Sequence, residues 1–361
     1  MLPSLQSITP EILKSQLVAW RQPAYRGDQI LDWVYHKRAV TVDSMSNLPK
    51  DLKEQLDKNF KCYLPDCMQK QGSEDTTQKF LWKLNDGALV ESVLIPANPA
   101  LYGEASDRHT LCISTQVGCA YGCKFCASGL DGWKRNLEPE EILGQLLAIE
   151  HHFQPKLKQG QERKVNNLVI MGMGEPMANY ENLMKALKIA NAPWGCNIGA
   201  RKITISTSGL APQIVALSRE PFQFRLAISL HGATDEVRSR IMPINRKYPI
   251  EDLMDACRQY LNKKGKMITF EYILIEGVND GLNQIQPLAD WARELHAKVN
   301  LIPYNTVEGL PWSRPEEDIQ ESFLEGLLSR GINATLRREK GHDIDAACGQ
   351  LRLKVEKGLT E

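Results

Sequence analysis

The chain has 361 residues, 42% hydrophobic and 24% charged, which is typical of a globular protein with one large and one smaller domain. Basic and acidic residues number 44 each, and this balance counts against a protein that coats nucleic acid. No membrane-spanning stretch or signal peptide stands out, and the nine cysteines form no regular framework, so we expect a reducing, cytoplasmic location.

The first 100 residues divide into a helical part and a hairpin. Apolar residues recur at helical spacing in two groups, Ile12, Leu13, Leu17 and Trp20, then Ile30, Trp33 and Val34. Residues 78–96 alternate like two strands on either side of Asn85-Asp86-Gly87, a typical hairpin turn. We predict a small helical accessory domain over residues 1–75 and a β-hairpin with linker over 76–104.

From His109 onward, apolar strands alternate with helical patterns. The strand candidates are Leu111–Ser114, Leu168–Met171, Ile203–Ser206, Leu226–Leu230, Ile268–Leu274, Val299–Ile302 and Ile332–Leu336. Helices are predicted at Pro139–Ile149, Glu181–Ile189, Ile250–Leu261 and Ile285–Leu295. Repeated β–α units predict parallel strands. We therefore expect an α/β fold with a partial (β/α)6 TIM-like barrel over residues 105–340 and a C-terminal segment over 341–361, with an open doubly wound sheet as the alternative.

One loop carries three closely spaced cysteines, Cys119, Cys123 and Cys126. Iron–sulfur clusters are held by cysteine thiolates, normally four to a cubane, so three would leave one iron open to a substrate. The alternatives are a zinc site or buried thiols. Zinc usually takes two C-x2-C pairs, whereas only Cys123 and Cys126 have that spacing here. The spacing favours a cluster, and it resembles the cluster loop of the radical S-adenosylmethionine (SAM) superfamily.

Polar motifs also follow four other predicted strands, where the chemistry of a parallel barrel gathers. They are Gly172–Pro176, Ser206–Gly209, Ser229–Gly232 and Pro303–Asn305. Two glycines let a ligand approach the backbone, and the carboxylate of Glu175 suits an ammonium group. Each motif has an ordinary alternative: a tight turn with a surface glutamate, a strand end, a histidine satisfied in the core or a turn asparagine.

Cys112 and Cys348 lie far apart in the chain, and by themselves both are typical of buried structural thiols. The same interpretation applies to the remaining cysteines, Cys62, Cys67, Cys196 and Cys257. Small basic groups suggest local patches, but charge runs are usually solvated faces. These groups are Arg26 with Lys37 and Arg38, Lys156 with Lys158, Arg163 with Lys164, and Arg337 with Arg338 and Lys340.

Nearly the whole chain resembles a family of radical SAM RNA methyltransferases, which modify C2 of an adenosine in 23S rRNA and in certain tRNAs. The matching runs are Tyr25–Tyr35, Met45–Lys50, Val90–Val93, Cys112–Cys119 and Asp343–Gln350. The last two are specific, because ordinary radical SAM enzymes lack this cysteine pair. The resemblance implies a 4Fe-4S cluster on Cys119, Cys123 and Cys126. It also implies SAM, two per turnover, bound by Gly174, Glu175, Ser206, Ser229, Leu230, His231 and Asn305.

The resemblance further implies catalytic roles for three residues. Cys348 carries the methyl group, Cys112 releases the product through a transient disulfide, and Glu91 accepts the C2 proton, with Cys112 as a possible substitute. The expected partners are 23S rRNA, tRNA and an external electron donor such as flavodoxin, with no membrane and a monomeric chain. The resemblance also implies that the helical domain over residues 1–75 binds the RNA. Three alternatives remain: the sister family that methylates C8 and gives antibiotic resistance, a radical SAM enzyme with a non-RNA substrate, and a non-catalytic iron–sulfur or RNA-binding protein.

Overall fold

The structure is a computed structural model that describes residues 2–72, 77–97, 108–157, 161–265, 267–307, 309–337, 349–356 and 358. Four residues singled out above, Lys158, Arg338, Lys340 and Cys348, lie outside the described residues. In the part of the chain that is described, no helix is long and apolar enough to cross a membrane.

The N-terminal region is helical, as its apolar spacing predicts. It contains α1 (Pro10–Ala19), α2 (Arg26–Leu31), which runs into a π-helical turn (Asp32–His36), and α3 (Lys50–Asn59). A proline occupies the first position of α1, where its missing N–H costs nothing. Leu13 and Leu17 are buried, whereas Ile12 is 58% exposed, so the apolar face of α1 is narrower than the sequence pattern suggests.

One ten-stranded sheet forms the centre of the molecule. Its first four strands are antiparallel neighbours: β1 (Asp66–Gly72), β2 (Gln78–Lys83), β3 (Leu89–Pro96) and β4 (His109–Cys112). Two further strands, β5 (Gln116–Gly118) and β6 (Trp133–Asn136), pair separately. The others join β4 in parallel: β7 (Asn167–Ile170), β8 (Ile203–Thr207), β9 (Arg225–Ser229), β10 (Thr269–Leu274), β11 (Lys298–Pro303) and β12 (Ala334–Leu336).

The order of the parallel strands decides between the two architectures. Strands β4 and β7 to β12 lie side by side in chain order, with no reversal. A doubly wound sheet reverses its order at a switch point, so this sheet has the topology of an opened barrel. The predicted partial (β/α) barrel is therefore confirmed, and all seven predicted strands are present.

Helices cover the outer face of the parallel strands. They are α4 (Pro139–Phe153), α5 (Tyr180–Asn191), α6 (Ala211–Arg219), α7 (Asp235–Ile241), α8 (Ile250–Lys264), α9 (Ile285–Glu294) and α10 (Glu317–Leu328). A last short helix, α11 (Gln350–Glu356), returns to the sheet and packs on β3 and on the turn Ala127–Gly129, directly after the three-cysteine loop. The sheet thus brings the C-terminal segment back to the hairpin.

Candidate active site

A cavity of about 370 Å³ opens at the carboxyl ends of the parallel strands. Nine of the residues expected at the site line it: Cys112, Cys119, Cys123, Cys126, Gly174, Glu175, Ser206, Ser229 and His231. Asn305, which follows β11, lines it as well. Because parallel strands share one carboxyl edge, motifs far apart in sequence meet at a single cavity.

The antiparallel pair of β5 and β6 holds the three-cysteine loop at its base. Gly118 has a φ of +76°, and a Cβ there would lie 1.9 Å from the carbonyl oxygen of Gly132, so only glycine fits. Within the loop, the amide of Cys126 donates to the carbonyl of Cys123 at 3.1 Å. The amide of Lys124 donates to the carbonyl of Ile241 at 2.9 Å, which ties the loop to the end of α7. Backbone contacts therefore help to fix the conformation of the loop.

Burial favours the neutral form of two of the loop thiols. Burial raises the pKa of Cys119 to about 11, although the backbone N–H groups of Tyr121 and Gly122 oppose this by hydrogen bonding. Burial raises the pKa of Cys123 well above its ordinary value, and the neighbouring cysteines add to the shift. These thiols are protonated by themselves, and binding to a metal centre would displace the protons.

The loop presents three cysteine thiols at one wall of the cavity. Among the described residues, no three cysteine, histidine, aspartate or glutamate side chains are grouped closely enough to hold one metal ion. A cubane takes each thiolate on a different iron, so three cysteines are the donor set for a cluster with one iron left open.

Glu175 lies fully inside the protein, beside the loop. Its carboxylate accepts hydrogen bonds from the Thr207 hydroxyl at 2.8 Å and from the amides of Ser208 at 2.7 Å and Met177 at 3.0 Å. Burial raises the pKa of Glu175, and these bonds to its charged form oppose that shift. The carboxylate is thus held rigidly at the cavity wall, where it can meet a cationic ligand group.

Gly174 needs to be glycine for two reasons. Its φ is +95°, and a Cβ would lie 2.5 Å from the Cβ of Gln116. The side-chain carbonyl of Gln116 also accepts the amide of Glu175 at 2.9 Å. The turn after β7 is therefore packed directly on β5, and the close approach at Gly174 is to Gln116. The approach of a ligand to this backbone stays a prediction.

The motif after β9 combines two cavity residues with one core residue. The hydroxyls of Ser206 and Ser229 lie 3.4 Å apart at the cavity wall. His231 accepts the amide of Ile273 on Nδ1 at 3.0 Å, so its Nε2 carries the proton, and burial lowers its pKa to about 3. Leu230 is fully buried and does not line the cavity. Its side chain packs in the core, so only its backbone could serve a ligand.

A buried arginine supports this rim from behind. Arg238 is fully buried and donates to the carbonyls of Leu230 at 3.0 Å and Ser208, and to Asn245 Oδ1 at 2.7 Å. Burial lowers its pKa to about 10, so it stays charged. Arg238 therefore joins the turns that follow β8 and β9.

Cys112 ends β4 on the cavity side. In the sheet register it lies opposite Val93 of β3 and Val169 of β7. It is buried, and it lines the same cavity as the three loop cysteines. Residues directly opposite one another project to the same face, so the cavity-facing side of the hairpin continues from Cys112 through Val93.

Glu91 lies on β3 and is engaged by the C-terminal segment. Its carboxylate accepts the amides of Gly349 and Arg352, each at 2.7 Å, and it lies 2.9 Å from the ammonium of Lys79. Both Glu91 and Lys79 are buried, and the former is only 2% exposed. Glu91 is therefore a buried acceptor at the junction of the hairpin and the C-terminal segment, and its role as proton acceptor stays a prediction.

Several cavity residues were not predicted. Glu271 of β10 accepts the side-chain amide of Asn300 at 3.0 Å, and Arg337 lies at the far wall. A charged residue in the middle of the apolar strand Thr269–Leu274 was the available signal, because strand residues two apart share a face. Burial raises the pKa of Glu271, and Arg337 and Lys298 oppose this rise.

The basic groups differ from one another in the structure. Arg38 is buried, 3.1 Å from Glu150, and donates to the carbonyl of Glu162, while Arg163 donates to the carbonyl of Asn197. Both arginines line a second cavity of about 460 Å³ between the N-terminal helices and the barrel. The suggestion that Arg38 belongs to an exposed patch is wrong, because its charge is used within the fold.

Of the other cysteines, Cys257 is buried as expected, whereas Cys62 and Cys196 are part-buried. Burial raises the pKa of Cys196 and of Cys257 to about 12 and that of Cys62 to about 11, as in inert structural thiols. Cys67 is exposed, so its prediction as buried is wrong. It lies on β1, the edge strand of the sheet, where one face has no covering layer.

Comparison with known proteins gives consistent matches over the whole chain. The radical SAM superfamily profile matches residues 113–292, and that of the ribosomal RNA large subunit methyltransferase N-terminal domain matches residues 4–62. A relative from Opitutus terrae, "Probable dual-specificity RNA methyltransferase RlmN 3", is 54% identical, and the match covers 98% of this chain and 96% of the relative. The "Probable dual-specificity RNA methyltransferase RlmN" of Geobacillus kaustophilus is 45% identical, with 99% and 95% covered.

A solved structure agrees with these sequence matches. The crystal structure of a radical SAM methyltransferase from Sphaerobacter thermophilus superposes with a TM-score of 0.89 at 42% identity. The superposition covers 96% of this chain and 98% of that one. The similarity therefore extends through the N-terminal helices, the hairpin and the barrel.

Proposed function

The chain belongs to the dual-specificity RNA methyltransferases of the radical SAM superfamily, and from this premise we propose that it methylates C2 of an adenosine in 23S rRNA and in tRNA. It is a SAM-dependent enzyme that uses a 4Fe-4S cluster, as its family does. One observation supports the proposal above all: Cys112 shares a single cavity with Cys119, Cys123 and Cys126. An ordinary radical SAM reaction needs only the last three.

The cavity residues fit both cofactors. Cys119, Cys123 and Cys126 would hold the cluster, and Glu175 with the backbone at Gly174 would bind the amino group of SAM. The other expected contacts to SAM are the side chains of Ser206, Ser229, His231 and Asn305 and the backbone of Leu230. When bound, the reduced cluster supplies an electron to SAM, whose cleavage gives a 5′-deoxyadenosyl radical that abstracts hydrogen atoms.

Cys348 carries the carbon in this proposal. Its thiolate would take a methyl group from one SAM, which leaves as S-adenosylhomocysteine. The methyl group would later give a hydrogen atom to the 5′-deoxyadenosyl radical, and the carbon radical so formed would add to C2 of the adenine. Loss of the C2 proton and of one electron, which the oxidised cluster can take back, would then restore the aromatic ring. Adenine C2 is too poor a nucleophile to attack SAM itself, and tethering makes the bond-forming step intramolecular. Gly349, the next residue in the chain, is held at Glu91, on the strand that pairs with the Cys112 strand.

Cys112 then releases the product. Its thiolate attacks the Cys348 sulfur, so that an S–S bond forms as the S–C bond breaks. The electron pair stays on the carbon, which takes up a proton and becomes the new methyl group. An external dithiol must then reduce the disulfide. Glu91 is proposed to accept the C2 proton, with Cys112 as the substitute.

The substrate must present its base out of the stack. C2 lies inside a helix or fold, so the adenosine has to be extruded into the cavity. Arg337, at the cavity wall, and the N-terminal helices are the proposed contacts to the RNA backbone. We further propose that the enzyme is a cytoplasmic monomer that takes electrons from a flavodoxin-like donor.

Anaerobic reconstitution with iron and sulfide tests this proposal. The protein would react with methyl-labelled SAM and either rRNA fragments or tRNA, followed by nuclease digestion and mass spectrometry. We expect labelled 2-methyladenosine from both RNAs, and none from the Cys348→Ala variant. Formation of 8-methyladenosine alone would assign the chain to the C8 reaction. Full turnover by Cys348→Ala would exclude the methyl-carrier mechanism.

A further inference from the structure

We propose that Glu91, with Lys79 as its counter-charge, is the positioning residue that docks the methyl-carrier segment against the cluster loop. The inference rests on the proposed function, because it assigns the docked segment to Cys348. It gives Glu91 a second task, distinct from accepting the C2 proton. Glu91 performs this second role by accepting hydrogen bonds from backbone amides that follow the carrier cysteine in the chain.

The first observation behind this proposal is the set of hydrogen bonds that Glu91 accepts. Its two carboxylate oxygens take different partners: Oε2 accepts the amide of Gly349 and Oε1 accepts that of Arg352, each at 2.7 Å. These donors belong to the start of α11, where backbone amides have no partner within the helix. A charged acceptor bonded to two amides makes a strong, directional anchor.

The sheet explains why the carboxylate lies there. Leu81 of β2 is opposite Glu91, and Lys79 is opposite Val93, so Lys79 and Glu91 are diagonal neighbours on one face. Lys79 is fully buried, and its ammonium lies 2.9 Å from Glu91 Oε2. A buried carboxylate needs such a partner to remain charged. The hairpin therefore presents a preformed anion to the C-terminal segment.

The other side of the segment is fastened to the cluster loop. Gly349 has a φ of +87°, and a Cβ there would lie 2.9 Å from both the amide nitrogen and the hydroxyl of Ser128, two residues after Cys126. Arg352 is fully buried and lies 3.0 Å from the carboxylate of Asp131. The residue that follows Cys348 is thus held between the hairpin and the loop that holds the cluster.

This arrangement has a consequence for the proton-acceptor role. While the segment is docked, the Glu91 carboxylate is occupied by two amides and an ammonium. Accepting a proton would remove its charge and weaken all three contacts. Proton uptake by Glu91 and release of the carrier segment are therefore expected to be linked.

The methylation of Cys348 provides a test that separates the two roles. This half-reaction needs SAM but no RNA, so no C2 proton is involved. Glu91→Gln should slow it about tenfold to a hundredfold, the range expected for losing a hydrogen bond to a charged group. The yield of S-methylcysteine would be followed by peptide mass spectrometry. Amide exchange over residues 349–356 would be measured in the same protein and should become faster.

Two companion variants control for folding. Glu91→Gln leaves Lys79 buried without its counter-charge, so the double variant Lys79→Met/Glu91→Gln removes both charges and should show the same loss. Glu150→Gln is the matched control, because Glu150 is also buried, pairs with Arg38 and accepts the amides of Lys164 and Val165. Glu150 lines the second cavity. The Glu150→Gln variant should therefore acquire the methyl group on Cys348 at the same rate as the wild type.

The outcomes are distinct. Slow loading and fast exchange in both Glu91 variants, with normal behaviour of Glu150→Gln, support docking. Normal loading and exchange in Glu91→Gln would overturn it and leave only the proton-acceptor role. If the wild type itself never acquires a methyl group on Cys348, the proposed function fails, and the exchange measurement alone decides whether Glu91 anchors the segment.

Discussion

Replacing Arg238 with methionine tests whether the SAM-side rim depends on one buried cation. The guanidinium of Arg238 serves three acceptors: the carbonyls of Ser208 and Leu230 and the side-chain oxygen of Asn245. Methionine fills much of the same volume but donates no hydrogen bond. The substitution therefore isolates the polar contribution of this side chain.

The expected loss in the free energy of unfolding follows from the number of buried acceptors that lose their donor. Each buried unsatisfied acceptor costs roughly 1–3 kcal/mol, so three would cost about 3–9 kcal/mol if additive. Part of this cost is offset, because a buried cation itself costs free energy and, among the described residues, Arg238 has no carboxylate in hydrogen-bond contact. Replacing Arg238 with methionine removes that cost of burial. We expect a loss of about 3–5 kcal/mol in the free energy of unfolding. SAM affinity should fall as well, since the turn after β8 also supports Glu175.

Urea denaturation of the apoprotein would measure the change, and equilibrium dialysis would measure SAM binding. Arg258→Met is the control, because Arg258 makes three ion pairs at the surface, with Glu251, Asp255 and Glu294. Surface pairs contribute about 0–1 kcal/mol each and are screened, so little change is expected. A loss for Arg238→Met no larger than that of the control would show that the buried contacts do not stabilise the rim.

Two further predictions concern the same rim. Burial lowers the pKa of His231 to about 3, so between about pH 6.5 and 3 only the unfolded chain takes up this proton, and stability falls as the pH drops through that window. His231→Gln should reduce the difference in unfolding free energy between pH 7 and pH 5 by about 2 kcal/mol, and an unchanged difference in urea titrations would contradict the assignment. Gly174→Ala should lower SAM affinity, measured by dialysis, because its Cβ would clash with Gln116. Gly87→Ala has a similar φ of +84° but open space, so equal behaviour of the two variants would argue against the clash.

The sequence was sufficient to predict the barrel because the parallel strands are short apolar runs, and most of them are followed by a polar motif. Apolar runs and the turn residues that bound them are local properties of the sequence. They placed three strand ends at Ser114, Ser206 and Leu230, within two residues of the ends at Cys112, Thr207 and Ser229 in the structure. The family resemblance added the roles of Cys348 and Glu91, which no spacing indicates. Closure of the barrel is not local, and only the order of the sheet excluded the doubly wound alternative.

The parts that could not be predicted depend on tertiary partners. Strand β1 is polar and mostly exposed, so its sequence Asp66–Gly72 has no apolar alternation. Lys79 and Arg352 are charged residues that a sequence pattern assigns to the surface, yet both are fully buried. Lys79 pairs with Glu91, and Arg352 pairs with Asp131 as well as with Glu356 one helical turn away. The pairings with Glu91 and Asp131 depend on the fold, since these residues are distant in the chain from their partners.

The fate of the hydrogen atoms in the transferred methyl group tests most directly whether Cys348 carries the carbon. Trideuteromethyl SAM in ordinary water should give a product with two deuterium atoms, since the carrier methyl loses one and gains a solvent proton when the S–C bond breaks. Mass spectrometry of the digested RNA would distinguish this product. A methyl group that retains all three deuterium atoms would mean direct transfer from SAM, without the Cys348 and Cys112 steps.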